Sequence, residues 1–384
     1  MENNNSVCYV ARINEIKPIE GADNIEQAVV GGWNCIIQKG QYAEGGLVVV
    51  ATTDAVIPLE LSNTIGVTNY LRKGQRVRTV KLRGVYSECL IIPLLHLPKG
   101  DISKWTEGKD VMEALSIFKY EPSVKQIQLT SGKKIRYQSN VNFNIYYKFP
   151  NVKNVPKMFT EEDEVQITRK IHGTNARYGI VKKNKMSFWD KCKKTTYRFI
   201  KHTPESWNWA DYEFVVGSHN VEKGSDSQGY YDVNVWYDIA KKYDIKNKLW
   251  LFMKNYTPTE IGSGIIIYGE IYGPCVQKNY YYGLKELEFT GFDISFDSEY
   301  QCTEITSFII KNNLKLPHVP VLYTGHWSQE VQDKYVFNNM IENTKIPHEG
   351  IVVKHISGNR QKIAKVINPD YLIYGEKHDV GDNH

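Results

Sequence analysis

A single lysine, Lys170, closes the apolar-alternating run Val165-Gln166-Ile167 and is followed by His172, Gly173, Thr174 and Asn175. A strand ending in such a loop can present one amine at the mouth of a pocket. The amine becomes a nucleophile when desolvation or nearby positive charge favours its neutral form. Gly173 would let a phosphate approach the backbone, and Thr174 and Asn175 can hydrogen-bond a sugar or phosphate without filling the site. Taken alone, the stretch Thr168 to Asn175 reads equally as a solvated surface turn. Other strands further along carry an ionisable group at or near an end: His219, Glu270, Glu349, Lys354 and Lys365. Glu270 follows the aliphatic run Ile265-Ile266-Ile267 and lies between Gly269 and Gly273. A carboxylate in that setting needs a partner, or burial raises its pKa. Convergence of these charges on one cleft would satisfy all of them.

The elements that would position these groups fall into two parts. Residues 6 to about 98 read as short β-strands punctuated by Gly31-Gly32 and Gly45-Gly46, which suits a small barrel of the OB type. Arg76 to Gly84 alternates basic and mostly apolar residues, so its basic face is either a backbone-tracking groove or a solvated strand face. A short helix is predicted at Val111 to Leu115. Later strands are predicted at 165–167, 176–181, 213–217, 265–273, 288–296, 349–354 and 361–367, with helices at 233–251 and 303–313. The basic stretch from Lys182 to Lys201, with Phe188, Trp189, Tyr197 and Phe199 interleaved, suits single-stranded nucleic acid or a solvated insertion. The expected class is α+β. An OB-like nucleic-acid-binding domain would span residues 1–120, a linker 121–155, and a domain of antiparallel sheets flanked by helices 156–384.

Length and composition agree. A chain of 384 residues is too long for one ordinary core. With 41% hydrophobic and 24% charged residues it reads as a globular protein. A net charge of +5 permits nucleic-acid binding without demanding it. The six cysteines are far apart, without metal-ligand spacing, as expected of reduced thiols. The N-terminus lacks the features of a signal peptide and no apolar run is long enough to span a bilayer, so a soluble, cytoplasmic monomer with no membrane partner is expected.

The order of these segments resembles the covalent nucleotidyltransferases, and within them the ATP-dependent RNA ligases. Lys170 to Asn175 is similar to motif I in the His-Gly-Thr-Asn form of RNA ligases, where DNA ligases and capping enzymes usually carry Asp at the position of His172. Val216 to Asn220 resembles motif Ia, Tyr268 to Gly273 motif III, Phe289 to Ile294 motif IIIa, Glu349 to Lys354 motif IV, and Ala364 to Asn368 motif V. Lys81 to Leu90 resembles the N-terminal OB module of the RNA ligase 5-like branch; DNA ligases place that module after motif V, where only Asn368 to His384 follows here. Two departures stand out. His219 replaces the arginine of motif Ia, and Ile367 stands where motif V usually has its second lysine. Lys362 is the other cation near, but a regular strand points it to the opposite face.

The resemblance implies a fold, a reaction and roles. Lys170 would attack the α-phosphate of ATP and form lysyl-AMP, with Lys354 and Lys365 near that phosphate. Arg169, His172, Gly173, Asn175, His219 and Lys362 would belong to the nucleotide site. Glu270 would hold the ribose and Phe292 would stack on adenine. Glu349, and also Glu270, would bind Mg²⁺ (or Mn²⁺) through its waters. The partner implied is RNA with 5′-phosphate and 3′-OH ends, including a nicked duplex. A DNA ligase or capping-type transferase shares the chemistry, and an OB-type binding protein with an inactive transferase domain would lack the covalent adduct.

Overall fold

A computed structural model describes residues 6–72, 74–94, 97, 104–120, 140–184, 211–223, 234–255, 262–337, 339–378 and 380. The N-terminal part begins with β1 (Cys8–Pro18), β2 (Ile25–Val30), β3 (Trp33–Gln38) and β4 (Leu47–Thr52). There follow β5 (Ala55–Val56), helix α1 (Leu59–Thr64), the hairpin β6 (Val80–Leu82) and β7 (Val85–Ser87), then β8 (Cys89–Ile92) and β9 (Phe118–Lys119). The main antiparallel sheet runs β3–β2–β1–β4–β8. Strand β1 serves two neighbours: Cys8 to Arg12 pairs with β4, and Ile13 to Pro18 with β2, with a bulge at the changeover. A bulge bends a strand and raises its twist, which turns the corner of the sheet. The Glu88 amide donates to the Asn34 carbonyl at 2.8 Å, and the Ile36 amide to Ser87 Oγ at 3.0 Å. These bonds bring β3 round to β7 and β8, so the expected barrel nearly closes. Ile13, Ala28, Val30, Val48, Val50 and Ile91 fill one side of the sheet, and Ile57, Val77, Val111 and Ile117 cover the other.

Two expectations for this part are corrected. Arg76 to Gly84 is not one continuous strand. Only Val80 to Leu82 pairs as β6, and Arg83 takes a left-handed turn conformation (φ 47°). Its cations are partly engaged within the protein. Arg76 pairs with Asp54, Arg78 with Glu376 at 3.1 Å, and Lys81 donates to Tyr86 Oη at 2.8 Å. The helix predicted at Val111 to Leu115 is a run of turns ending at Ser116, whose positive φ (53°) halts it.

The second part comprises β10 (Glu164–Lys170), β11 (Thr174–Lys182), β12 (Tyr212–Gly217), β13 (Glu222–Lys223), helices α2 (Val235–Lys242) and α3 (Ile245–Asn255), β14 (Gly264–Tyr272), β15 (Glu288–Phe296) and β16 (Glu299–Tyr300). It continues with α4 (Thr303–Phe308), β17 (Val321–His326), α5 (Gln329–Val336), β18 (Gly350–His355), β19 (Ile363–Ile367) and α6 (Pro369–His378). The single helix expected at 233–251 breaks because Asp244 is left-handed (φ 51°) between α2 and α3. Most of the basic, aromatic stretch from Lys182 to Lys201 and residues 121–139 of the expected linker lie outside the described residues.

Two antiparallel sheets, β17–β10–β18–β19 and β13–β12–β11–β14–β15–β16, face one another. The first buries Val165, Ile167, Ile351, Val353, Ala364 and Val366 on its outer side against Val336 of α5. The second buries Tyr178, Ile180, Val216, Ile265, Ile267 and Ile271 under Trp236, Ile239, Leu249 and Phe252 of α2 and α3. Side chains alternate along a strand. Gln166, Thr168 and Lys170 therefore face inward from β10, and Asn175, Arg177, Tyr268 and Glu270 from β11 and β14. Phe143 and Tyr146 pack into the inner layer beside Tyr268, Ile266 and Phe292. Lys153 ties the two parts together, ion-paired with buried Glu88 and lying 5.5 Å from the Trp33 ring.

Candidate active site

Lys170 ends β10, an interior strand. Its backbone is opposite Gly350 at the start of β18. Gly350 has φ +152°, a conformation that L side chains rarely adopt, and a Cβ there would collide with the Val366 carbonyl. This glycine sets the turn that carries Glu349 to the lysine. Lys170 Nζ donates to Glu349 Oε1 at 2.7 Å. His172 Nδ1 lies 4.0 Å from the other oxygen of that carboxylate, and 3.0 Å from Tyr371 Oη. The ring is buried edge-on against Tyr280 and Tyr371, at 5.0 and 5.4 Å. His172 is therefore a support behind Glu349 and does not face the open cleft.

Gly173 is required by the packing of the loop. A Cβ there would strike the Ile271 carbonyl and the Glu270 side chain. The motif loop is packed directly on β14, and the Gly173 carbonyl accepts from Gln277 Nε2. This contact places the loop beside Glu270. Asn175 is opposite Glu270 in the β11–β14 ladder. Its backbone carbonyl accepts from Trp236 Nε1 at 3.1 Å, while its Oδ1 is buried without a hydrogen bond. A buried carbonyl oxygen in that state is suited to a ligand hydroxyl or a metal-bound water.

Glu270 lies deep in the cleft floor but is still touched by solvent. Burial lifts its pKa from the usual 4.5 to about 8; Lys170 pulls it down and Glu349 adds to the rise. The folded protein thus keeps a proton that the unfolded chain loses above about pH 4.5. Stability falls as pH rises through this window, with a limiting slope of about 1.4 kcal/mol per unit. Glu270→Gln removes the slope. Denaturant unfolding at pH 5, 6.5 and 8 should show the variant gaining on wild type with rising pH, by about 2 kcal/mol or more at pH 8. Parallel pH profiles for the two proteins would contradict this assignment.

Lys365 is on the inner face of β19, opposite Val352, which in turn is opposite Thr168. Its stem can reach toward Lys170 from two strands away. Ile367 is opposite Gly350, nearest to Lys170, and packs against a tyrosine cluster that includes Tyr280 and Tyr371. Lys362 points away, as alternation implies, and pairs with Asp163. Lys354 is also not brought to Lys170. It is opposite Gln166, four residues along β10 and about 13 Å away along the strand. Its ammonium donates to Asp293 Oδ2 and the Phe292 carbonyl, both at 2.9 Å. Phe292 lies beside that pair, with Tyr146 edge-on at 5.0 Å. Arg169 extends to the other face of β10, 3.5 Å from the Tyr335 carbonyl and Asn339 Oδ1. His219 is in the turn after β12, half-buried. Gln277, Asp293 and Tyr371 were not singled out from sequence.

The RNA ligase family model matches residues 163–367, more than half of the 384 residues. The chain belongs to the RNA ligase family. An OB-fold domain model matches residues 7–94 of this ligase. Its fold is that of solved Naegleria gruberi RNA ligase structures. One, with PPi, has a TM-score of 0.69 at 22% identity, covering 97% of this chain and 99% of that one. A mutant with ATP and Mn gives 0.69 at 22% identity, again 97% and 99%. A mutant with AMP and Mn gives 0.67 at 21%, with the same coverage. No curated protein matches the ligase by sequence. Among its described residues no helix is long and apolar enough to cross a membrane.

The residues present fit ATP and a hard divalent cation. Among the described residues no group of three or more His, Cys, Asp or Glu could hold a metal by itself. Mg²⁺ commonly uses one or two carboxylates together with substrate phosphates and waters. Glu349 and Glu270 form such a pair across the amine, and Asn175 Oδ1 adds an acceptor.

Proposed function

We propose that this ligase is ATP-dependent and works through a lysyl-AMP intermediate, joining an RNA 5′-phosphate to a 3′-OH, nicks in a duplex included. The observation that carries the reading is the Lys170 amine at 2.7 Å from Glu349, with Glu270 across the same cleft. Along the inner faces the order Phe292, Glu270, Lys170 matches the order base, ribose, phosphate. Phe292 would stack on adenine, Glu270 and Asn175 would take the sugar hydroxyls, and Lys365 would face the phosphates. Lys170 must lose its proton, and with it the pairing to Glu349, before Nζ forms a bond to the α-phosphorus. The bond from that phosphorus to pyrophosphate breaks. An RNA 5′-phosphate oxygen then displaces the lysine from phosphorus, and a 3′-hydroxyl displaces AMP from the activated 5′-phosphate. A divalent ion bound between the carboxylates and phosphates would neutralise developing charge. We also read residues 1–120 as the OB module, 121–155 as a connector and 156–384 as the adenylyltransferase domain.

The test is a panel of nicked duplexes with RNA or DNA on each side of the break, offered with ATP or GTP. Sealing with ATP and an RNA 3′-OH strand is expected. Transfer from GTP alone, or equal sealing of all-DNA nicks, would replace the reading with a capping-type or DNA ligase activity.

A further inference from the structure

Helix α6 begins directly after β19, and three successive features at its start reach three different places. Asn368 is fully buried, and its amide donates to the Glu349 carbonyl at 2.9 Å. Asp370 accepts from Tyr86 Oη at 2.7 Å, and Lys81 lies 3.8 Å from the same carboxylate oxygen. Tyr86 and Lys81 belong to the β6–β7 hairpin of the barrel. Tyr371 turns the other way, into the core, where its hydroxyl meets His172 Nδ1 at 3.0 Å. Tyr86 is also stacked near Phe337, at 6.1 Å and 18°. One turn of helix is thus fixed to the barrel on one side and to the support of the Glu349 carboxylate on the other.

We propose that Tyr371 is a positioning residue for adenylylation, holding His172 and through it Glu349 against Lys170, and that the Tyr86–Asp370 hydrogen bond makes docking of the barrel part of that alignment. The inference rests on the lysyl-AMP reading above. Its physical basis is a chain of contacts: Tyr371 Oη meets His172 Nδ1 at 3.0 Å, and that nitrogen lies 4.0 Å from Glu349 Oε2. Removing the hydroxyl leaves both reacting groups present. What changes is the fixing of the imidazole, and with it the carboxylate orientation. Small misalignments of a reacting group lower rate far more than affinity. Packing alone predicts otherwise. The Tyr371 ring contacts His172 and Tyr280, and phenylalanine keeps those contacts.

The experiment uses the full chain with α-labelled ATP and Mg²⁺ in single-turnover mode, comparing wild type, Tyr371→Phe, Tyr86→Phe and the double variant. Thermal unfolding is recorded for each. For Tyr371→Phe we expect the maximal rate of adduct formation to drop about tenfold, with the half-saturating ATP concentration within about twofold of wild type. Tyr86→Phe, a change on the barrel, should lower the maximal rate in the same direction by about threefold, and the double variant should be less than multiplicative because both act through one helix. A wild-type maximal rate in Tyr371→Phe overturns the proposal. So does a change confined to half-saturation. A wild-type rate in Tyr86→Phe overturns the barrel-docking part. A wild-type protein that forms no adduct overturns the ligase mechanism itself, and this inference with it.

Discussion

Lys170→Ala abolishes transfer of label from α-labelled ATP to the protein, a loss expected to exceed about 10⁴-fold, because the variant has no atom to form the bond to phosphorus. The fold should survive. Lys170 is at the end of β10, and the ladder to Gly350 is formed by backbone groups. Removing the ammonium takes away that one donor to Glu349 and no backbone hydrogen bond. Lys170→Arg is the sharper form of the same test. It retains positive charge opposite Glu349, yet guanidinium remains protonated and cannot attack. Both variants are measured by gel autoradiography of the adduct after incubation with Mg²⁺. A labelled band in either variant would move the nucleophile elsewhere.

Asp293→Asn should be the most destabilising conservative change in the second part of the chain. The Asp293 carboxylate receives Lys354 Nζ at 2.9 Å, Arg360 at 2.9 and 3.3 Å, and Tyr146 Oη at 2.8 Å. It is almost fully buried. Burial alone would raise its pKa, but Lys354 and then Arg360 overcome this and hold the group below the usual carboxylate range. An amide in its place leaves two cations without a buried counter-charge, at a cost of about 3–5 kcal/mol. The sign of the pH dependence follows. A carboxylate with a lowered pKa contributes stability above its unfolded pKa and loses it as pH falls through the folded value. The gap between wild type and variant should therefore be complete at neutral pH and shrink in acid. Urea unfolding at pH 7 and at pH 3 measures both, and a gap under about 1 kcal/mol at pH 7 would contradict the role given to this carboxylate. Phe292 precedes Asp293 and its carbonyl accepts from Lys354, so adenylylation should weaken as well.

What the sequence revealed and what it concealed divide along physical lines. Strand periodicity is local, so β10, β11, β14, β15, β18 and β19 were readable, and the charges at their ends could be expected to converge, but the pairing of Lys170 with Glu349 is visible only in the structure. Lys354 was misplaced because its distance from Lys170 depends on register, and its partner Asp293 is on the other sheet. The partners of the basic stretch near Arg78 could not be read locally, because Glu376 and Asp370 are nearly 300 residues away. The Tyr371–His172 contact spans 199 residues and leaves no periodic trace. Gly173 was legible as a special position, but its packing role was not, since the β14 backbone that crowds it cannot be seen from its neighbours in sequence.

The strand that bears Lys170 is hydrogen-bonded on both edges, to β17 and to β18. Such a strand has no freedom to swing. In the proposed mechanism the root of the lysine stem is therefore held in place, so ATP and then the RNA 5′ end must be brought to the amine, and the 3′-hydroxyl to the activated 5′-phosphate. Choreography in this enzyme belongs to its cargo and to whatever ushers that cargo in, while the anchor stays where the sheet has bolted it.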